Sequence, residues 1–299
     1  MKHVIFVILS IISLCSHAQS EQSPERFFPY PTPPEQLETL SDRTTYIVQH
    51  FWDRCNLKSA IQKHDKFKEV FSDYVSFMPY AEAVAVHESI DNLIAKFKDH
   101  PDNLLTLAII AEETLYNEDA EFTSDEVFMP FAKAVAEHKK IKSADKARFV
   151  YEYNVLSQSL VGSRVYDLSF IRPDGSESKL SEVGQGYVLI FFNDPECEDC
   201  MMARVRLSAD HNINRLLDEG RLKLVCLKPG EPDDEWKQSV ANYNERWIVG
   251  AAPDADEHFD MRNPPVFYYL NPSHKILSKT LLIDNLLEAF HQVNSNLNR

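Results

Sequence analysis

Glycine is scarce in this chain, with 7 residues in 299, against the ~7% usual in globular domains. Neither GxxxxGK[ST] nor GxGxxG occurs, which excludes the backbone cradles that hold nucleotide phosphates. Basic residues are in deficit too: 31 Lys and Arg face 46 Asp and Glu, for a formal charge of -15 and a pI near 5.2. Affinity for nucleic acid comes mainly from Lys and Arg displacing counterions, so nucleic acid is excluded as a partner. Cysteine is sparse as well. The 5 residues include one CxxC, with no second pair and no HExxH, so the two paired clusters of a four-ligand zinc site are missing. What the chain does have is length for two domains and 44% hydrophobic residues, enough for packed cores.

The first residues, MKHVIFVILSIISLCSHAQ, place Lys2 before an apolar stretch from Val4 to Cys15, and Ser16-His17-Ala18 offers a small-x-small cleavage site. This is the pattern of a secretory signal over residues 1–18, and the apolar run is shorter than the ~20 residues of a spanning helix. Lipid attachment at Cys15 is disfavoured by the bulky Leu14 before it. The expected mature chain starts at Gln19, carries no transmembrane segment and is exported, to the periplasm, where disulfides persist.

Two halves follow, 19–160 and 161–299. RFFPYPTPPE, residues 26–35, favours extended polyproline II and is expected to lie along its own domain. From Ser41 to Leu160 apolar residues recur at helical spacing, as in Phe67, Val70, Phe71 and Tyr74, which predicts an all-α region of about six helices. Breaks are expected at Met78-Pro79, at Asp99-His100-Pro101 and over 117–123, with Ser143 as the N-cap of a helix ending near Gly162. After Gly162 short strands alternate with helices. RVYDLSFIRPDGSESKL reads as a hairpin turning at Pro-Asp-Gly, YVLIFFN and RLKLVCLKP as central strands, PVFYYLNPSHKIL as two strands, and NLLEAFHQVNSNL as a closing helix. The predicted order behind the hairpin is β-α-β-α-β-β-α, an α/β fold preceded by an all-α domain.

The segment FFNDPECEDCMMAR puts Cys197 and Cys200 after a strand and at the start of a helix. With PVFYYLNPSHKIL, it resembles a thioredoxin-fold domain of the redoxin or TlpA-like type, whose matching segment reads PTxFLIDPxGKII. That resemblance covers residues 162–298. It implies a thiol-disulfide oxidoreductase with Cys197 and Cys200 as the redox pair and Pro265 as the cis-proline beside it. The helical half, with FPYPTPP and YIVQHFWDRCNL, is similar to an uncharacterised N-terminal domain fused to such modules in secreted bacterial proteins, and this implies no activity for it.

The chemistry of the pair agrees with that implication. A cysteine at a helix N-terminus faces unpaired N–H groups and the positive end of the dipole, which favour the thiolate, so Cys197 is the expected nucleophile. Cys200, one turn in, is the expected resolving thiol, which attacks the mixed disulfide and releases the substrate. No bound cofactor is required: the redox group is the Cys197-Cys200 disulfide itself. The expected partners are thiols or disulfides of exported proteins and an unidentified redox partner.

Competing readings are a metal held by Asp194, Glu196, Glu198 and Asp199 with the cysteines, an inert structural disulfide, and a binding protein in which this domain is a non-catalytic scaffold. A copper-binding variant would place a histidine just before Val266, where Pro264 and Pro265 stand, and His258 is several residues away. A peroxidase of the peroxiredoxin kind carries Thr three residues before its cysteine, where this chain has Asp194. Departures from the family pattern are Glu196 for the usual tryptophan, Phe191 where some members have a buried acid or asparagine, and Ala203 for a glutamate. A buried proton acceptor is therefore not evident. Cys55 and Cys226 are expected as buried small apolar residues, on a helix and a strand respectively, with a bridge between them left open.

Overall fold

The structure is a computed structural model that describes residues 27–117, 120–279 and 282–297, the last five of these by backbone alone. The predicted signal segment, its cleavage site and Cys15 lie outside the described residues.

The described residues between 40 and 158 fold as seven α-helices: α1 Leu40–His50, α2 Leu57–Ala60, α3 His64–Ser76, α4 Ala83–Phe97, α5 Pro101–Leu115, α6 Asp125–Ala136 and α7 Ser143–Gln158. The break at Met78-Pro79 is a 3-10 turn over Met78–Tyr80, and the break before Pro101 makes that proline the first residue of α5. A proline there gives up only an N–H that would have no intrahelical partner. Thr39 caps α1 through its hydroxyl, which accepts from Asp42 N at 3.0 Å, satisfying one orphan donor. The expected N-cap at Ser143 is corrected: Lys142 holds the extended cap backbone without a side-chain bond, and Ser143 is already helical. α7 ends at Gln158, four residues before Gly162. The seventh helix, absent from the predicted count, is the four-residue α2, too short for a periodicity to register.

The proline-rich arm lies on its own domain, as expected. Phe28 is buried, and its ring meets Phe51 edge-on at 5.8 Å, while Tyr30 packs on the same Phe51 at 4.7 Å. Cys55 departs from expectation. It sits in the turn after α1, half-buried, and burial pushes its thiol up to about 11.

The second half forms one seven-stranded sheet of order β2-β1-β5-β4-β3-β6-β7. Its elements are the hairpin β1 Ser169–Ile171 and β2 Glu177–Lys179, β3 Tyr187–Phe192, α8 Glu198–Ala209, α9 His211–Asp218, β4 Leu222–Pro229, α10 Asp234–Ser239, β5 Ile248–Ala252, α11 Ala255–His258, β6 Val266–Leu270, β7 Ile276–Lys279 and α12 Ile283–Leu297. β3 is central, parallel to β4 and antiparallel to β6. Its apolar run is continuous because both faces are covered. Val188, Ile190 and Phe192 enter the core with the hairpin and α11, while Leu189 and Phe191 enter the core with α8, α9 and α12.

The strand β5, sequence IVGAA, has no counterpart in the predicted order. Its glycine and alanines give little β-propensity, yet small residues are what its place requires. A Cβ on Gly250 would stand 2.5 Å from Cδ2 of Phe170 in the hairpin strand beside it.

The halves meet along α7. The Tyr151 hydroxyl donates to Asp256 O at 3.1 Å, and His258 pairs with Gln158 Oε1 at 2.7 Å while stacking on Tyr166 with centroids 3.5 Å apart. His258 is thus held by the domain junction.

Candidate active site

The core strand β3 ends at Phe192 and the chain turns through Asn193-Asp194-Pro195-Glu196 into α8. Asp194 organises the turn by accepting from Glu196 N at 3.0 Å through Oδ1 and from Cys197 N at 3.2 Å through its carbonyl. Cys197 is the N-cap of α8, with extended backbone, and its sulfur accepts from Cys200 N at 3.1 Å. The sulfur occupies the place where a Ser or Asp oxygen usually satisfies an orphan helix donor. Cys197 is half-buried and Cys200 fully buried, in line with Ala203 and Leu207 on the face of α8 that meets the sheet. Both stand as thiols.

Burial pushes the Cys200 thiol up to about 12, assisted by the neighbouring Cys197. A difference in access thus separates an approachable outer sulfur from an inner one that resists ionisation on its own. Beneath them Phe191 lies opposite Cys226 of β4, and both are buried in the same cluster as Cys200. Burial raises the Cys226 thiol strongly. Cys226 is the buried strand residue that was expected; with Cys55 at the edge of the helical core and Cys226 inside the sheet core, each is a free thiol and no bridge joins them.

Pro265 immediately precedes β6, and Val266 pairs with Phe192, so Pro265 reaches the end of the sheet from which the cysteine turn departs. The Pro264-Pro265 bond is cis. The sheet register therefore brings Cys197, Cys200 and Pro265 to one end of one strand pair. Beside the turn is a cleft of about 200 Å³ lined by Asp194, Glu196, Lys228, Asp233 and Glu235. Lys228 Nζ is engaged there, at 2.8 Å from Glu231 O and 2.9 Å from Asp233 Oδ2. Among the described residues, no group of three His, Cys, Asp or Glu side chains is placed to hold a metal ion.

Sequence reasoning passed over Asn193. It is buried, its N–H donates to Leu227 O at 2.8 Å, its Nδ2 donates to the Tyr243 hydroxyl at 2.7 Å, and its Oδ1 has no protein partner. Arg204, one turn beyond Cys200 on α8, lies over the Tyr243 ring at 4.6 Å. Asn193 ties the strand-to-helix turn to the segment after α10 through Tyr243, 50 positions away, a link no local pattern announces.

Comparison with known proteins bears on the fold. The crystal structure of a thioredoxin-like protein from Bacteroides caccae superposes with a TM-score of 0.77 at 20% identity, covering 89% of this chain and 98% of its own. The fold is thus a thioredoxin-like α/β domain preceded by an all-helical part, and the likeness spans both halves. Two further similar structures each cover less than half of the chain. The C-terminal domain of an uncharacterized protein from Bacteroides fragilis has 22% identity and a TM-score of 0.43, covering 45% of this chain and 99% of its own. The thioredoxin domain of a thiol-disulfide oxidoreductase from Bacteroides vulgatus has 18% identity and a TM-score of 0.40, covering 45% and 97%. The model of DUF5106, a domain of unknown function, matches residues 13–159. No curated protein matches the chain.

Proposed function

We propose that the chain is an exported thiol-disulfide oxidoreductase that exchanges disulfides with other exported proteins through Cys197 and Cys200. The observation carrying this reading is the position of Cys197 at the cap of α8, its sulfur already accepting the Cys200 N–H. In the exchange the Cys197 thiolate attacks one sulfur of a substrate disulfide, forming a mixed disulfide and releasing the other sulfur as thiolate, which takes up a proton. Cys200 then loses its proton and attacks Cys197, giving the Cys197-Cys200 disulfide and the fully reduced substrate. An unidentified exported or membrane-borne dithiol would return two electrons to the pair. Pro265 is assigned to the substrate side of this site.

Insulin-disulfide reduction with dithiothreitol tests the proposal: turnover is expected in the wild type and none above background in Cys197→Ser. Equal rates for the two proteins would remove the enzyme reading in favour of a binding scaffold. That second reading draws on Phe191, an apolar ring where a proton acceptor for the inner thiol would be useful.

A potential toward the reducing end of the family is also expected. The dipole of α8 favours negative sulfur by about 0.3–1 kcal/mol. Asp194, Glu196, Glu198 and Asp199 are all exposed and within three residues of Cys197 in the chain, and one carboxylate at ~8 Å from a negative charge in water opposes it by about 0.5 kcal/mol before screening. Neutralising two of these charges beside the pair by Glu198→Gln with Asp199→Asn should raise its potential. A titration in glutathione and dithiothreitol buffers reads both, and a wild-type value above about -150 mV would contradict the argument.

A further inference from the structure

The helical half has no role in the chemistry above, yet several of its polar contacts run to the loop 260–265, which joins α11 to β6 and ends at Pro265. Asp260 is buried, and its N–H donates to the Tyr268 hydroxyl at 2.9 Å. Arg262 closes the loop on itself: its backbone N and Nε donate to Asp260 Oδ1 at 3.1 and 2.9 Å. Nη2 also donates to Asp260 Oδ2 at 2.5 Å, and the same guanidinium reaches across to the helical half. Nη1 donates to Tyr116 O, Nη2 pairs with Asp125 Oδ1 at 3.1 Å, and the group lies over the Tyr116 ring.

These contacts come from places suited to a cation. Tyr116 is the C-cap of α5, where carbonyls are left without helical donors and the dipole is negative. Asp125 opens α6 and also pairs with Lys279 Nζ of β7 at 2.6 Å through its other oxygen. Tyr116 is itself fixed by stacking on Phe128 at 4.6 Å. Two acids and two bases balance in a poorly hydrated junction, and Arg262 is the member that belongs to the loop. A planar fork satisfies a carboxylate, a carbonyl and a ring together, which a lysine ammonium cannot do.

We propose that Arg262 is a positioning residue through which the helical half holds the 260–265 loop beside the cysteine turn, so that both halves together form the surface receiving an extended polypeptide next to its disulfide. This rests on the oxidoreductase reading, and it gives residues 27–158 a function in substrate handling. A small disulfide needs only the sulfurs; a polypeptide also needs the loop.

The test compares full-length mature wild type, Arg262→Lys and Asp125→Asn on insulin and on bis(2-hydroxyethyl) disulfide, with the potential of the pair measured alongside. Loss of charge-assisted bonds to the loop should raise KM for insulin about tenfold, leaving kcat, the small-disulfide rate and the potential near wild type. Asp125→Asn keeps the size of the side chain and carries the test if the lysine variant does not fold. Unchanged insulin KM in a folded variant, or equal losses on both disulfides, would overturn the inference while leaving the enzyme reading intact. A wild type no faster than Cys197→Ser would fail that reading, and the inference with it.

Discussion

Phe51→Ala is expected to destabilise the helical half by about 3–5 kcal/mol, the usual cost of emptying a phenylalanine site in a closed core. Phe51 is fully buried and is the hub of an aromatic cluster, with ring centroids at 5.8 Å to Phe28, 4.7 Å to Tyr30, 4.9 Å to Trp52, 5.1 Å to Tyr74 and 6.3 Å to Phe77. Each favourable ring pair adds roughly 0.5–1.5 kcal/mol beyond its buried area. Four of these partners belong to other segments: Phe28 and Tyr30 to the arm, Tyr74 to α3 and Phe77 to its C-cap. The cavity cannot close without moving several of them. Urea unfolding followed by tryptophan fluorescence would read the loss through Trp52, and limited proteolysis should show earlier cutting in the arm. A shift below about 1 kcal/mol would mean the cluster repacks freely, against its close-packed geometry.

Glu152→Gln is expected to stabilise the protein in alkaline solution, progressively less as pH falls, and to leave it little changed near pH 4. Glu152 on α7 is buried, and its Oε2 has no hydrogen-bond partner. Burial first, and then the neighbouring Glu112, push its carboxyl up to about 8, while Arg148 and Arg262 pull the other way. The Arg148 guanidinium is committed to Glu112 at 2.9 Å. Since the folded protein holds this proton more tightly than the unfolded chain, stability is greatest while both states are protonated, below about pH 4.5. It falls as pH rises toward about 8 and levels off above that. A shift of this size is worth at most about 4–5 kcal/mol; sharing the proton with Glu112 lowers the expectation to about 2 kcal/mol at pH 9. Unfolding midpoints at pH 4 and pH 9 decide it. An equal effect at both values would sink the assignment, since the amide substitution would then be acting through packing alone.

Much of the fold was legible because it rests on local periodicity. Phe67, Val70, Phe71 and Tyr74 do bury one face of α3, and the run Val188–Phe192 does lie between two cores. The cysteine pair was legible too, since a strand, a turn and a helix start are all short-range features. Asn193 and Arg262 were not: their partners lie 50 and 137–146 residues away, and nothing in a window of sequence shows which distant group will arrive. The strand β5 was hidden for the opposite reason, because Gly250 and the alanines beside it answer to a neighbouring ring and not to strand propensity.

The borders of the sheet carry a consequence for behaviour in a crowded compartment. β2 is a three-residue strand with Glu177 and Lys179 exposed at its ends. Over the start of β7 the chain has laid its own residues 163–165, with Ile276 N donating to Ser163 O at 2.9 Å and Val165 N to His274 O at 2.9 Å. Long free ladders are what misfolded chains use to add themselves to a native sheet, and short, charged or covered borders deny them that template. A protein whose proposed task is to meet other chains before their disulfides are settled is thereby guarded against co-aggregating with them.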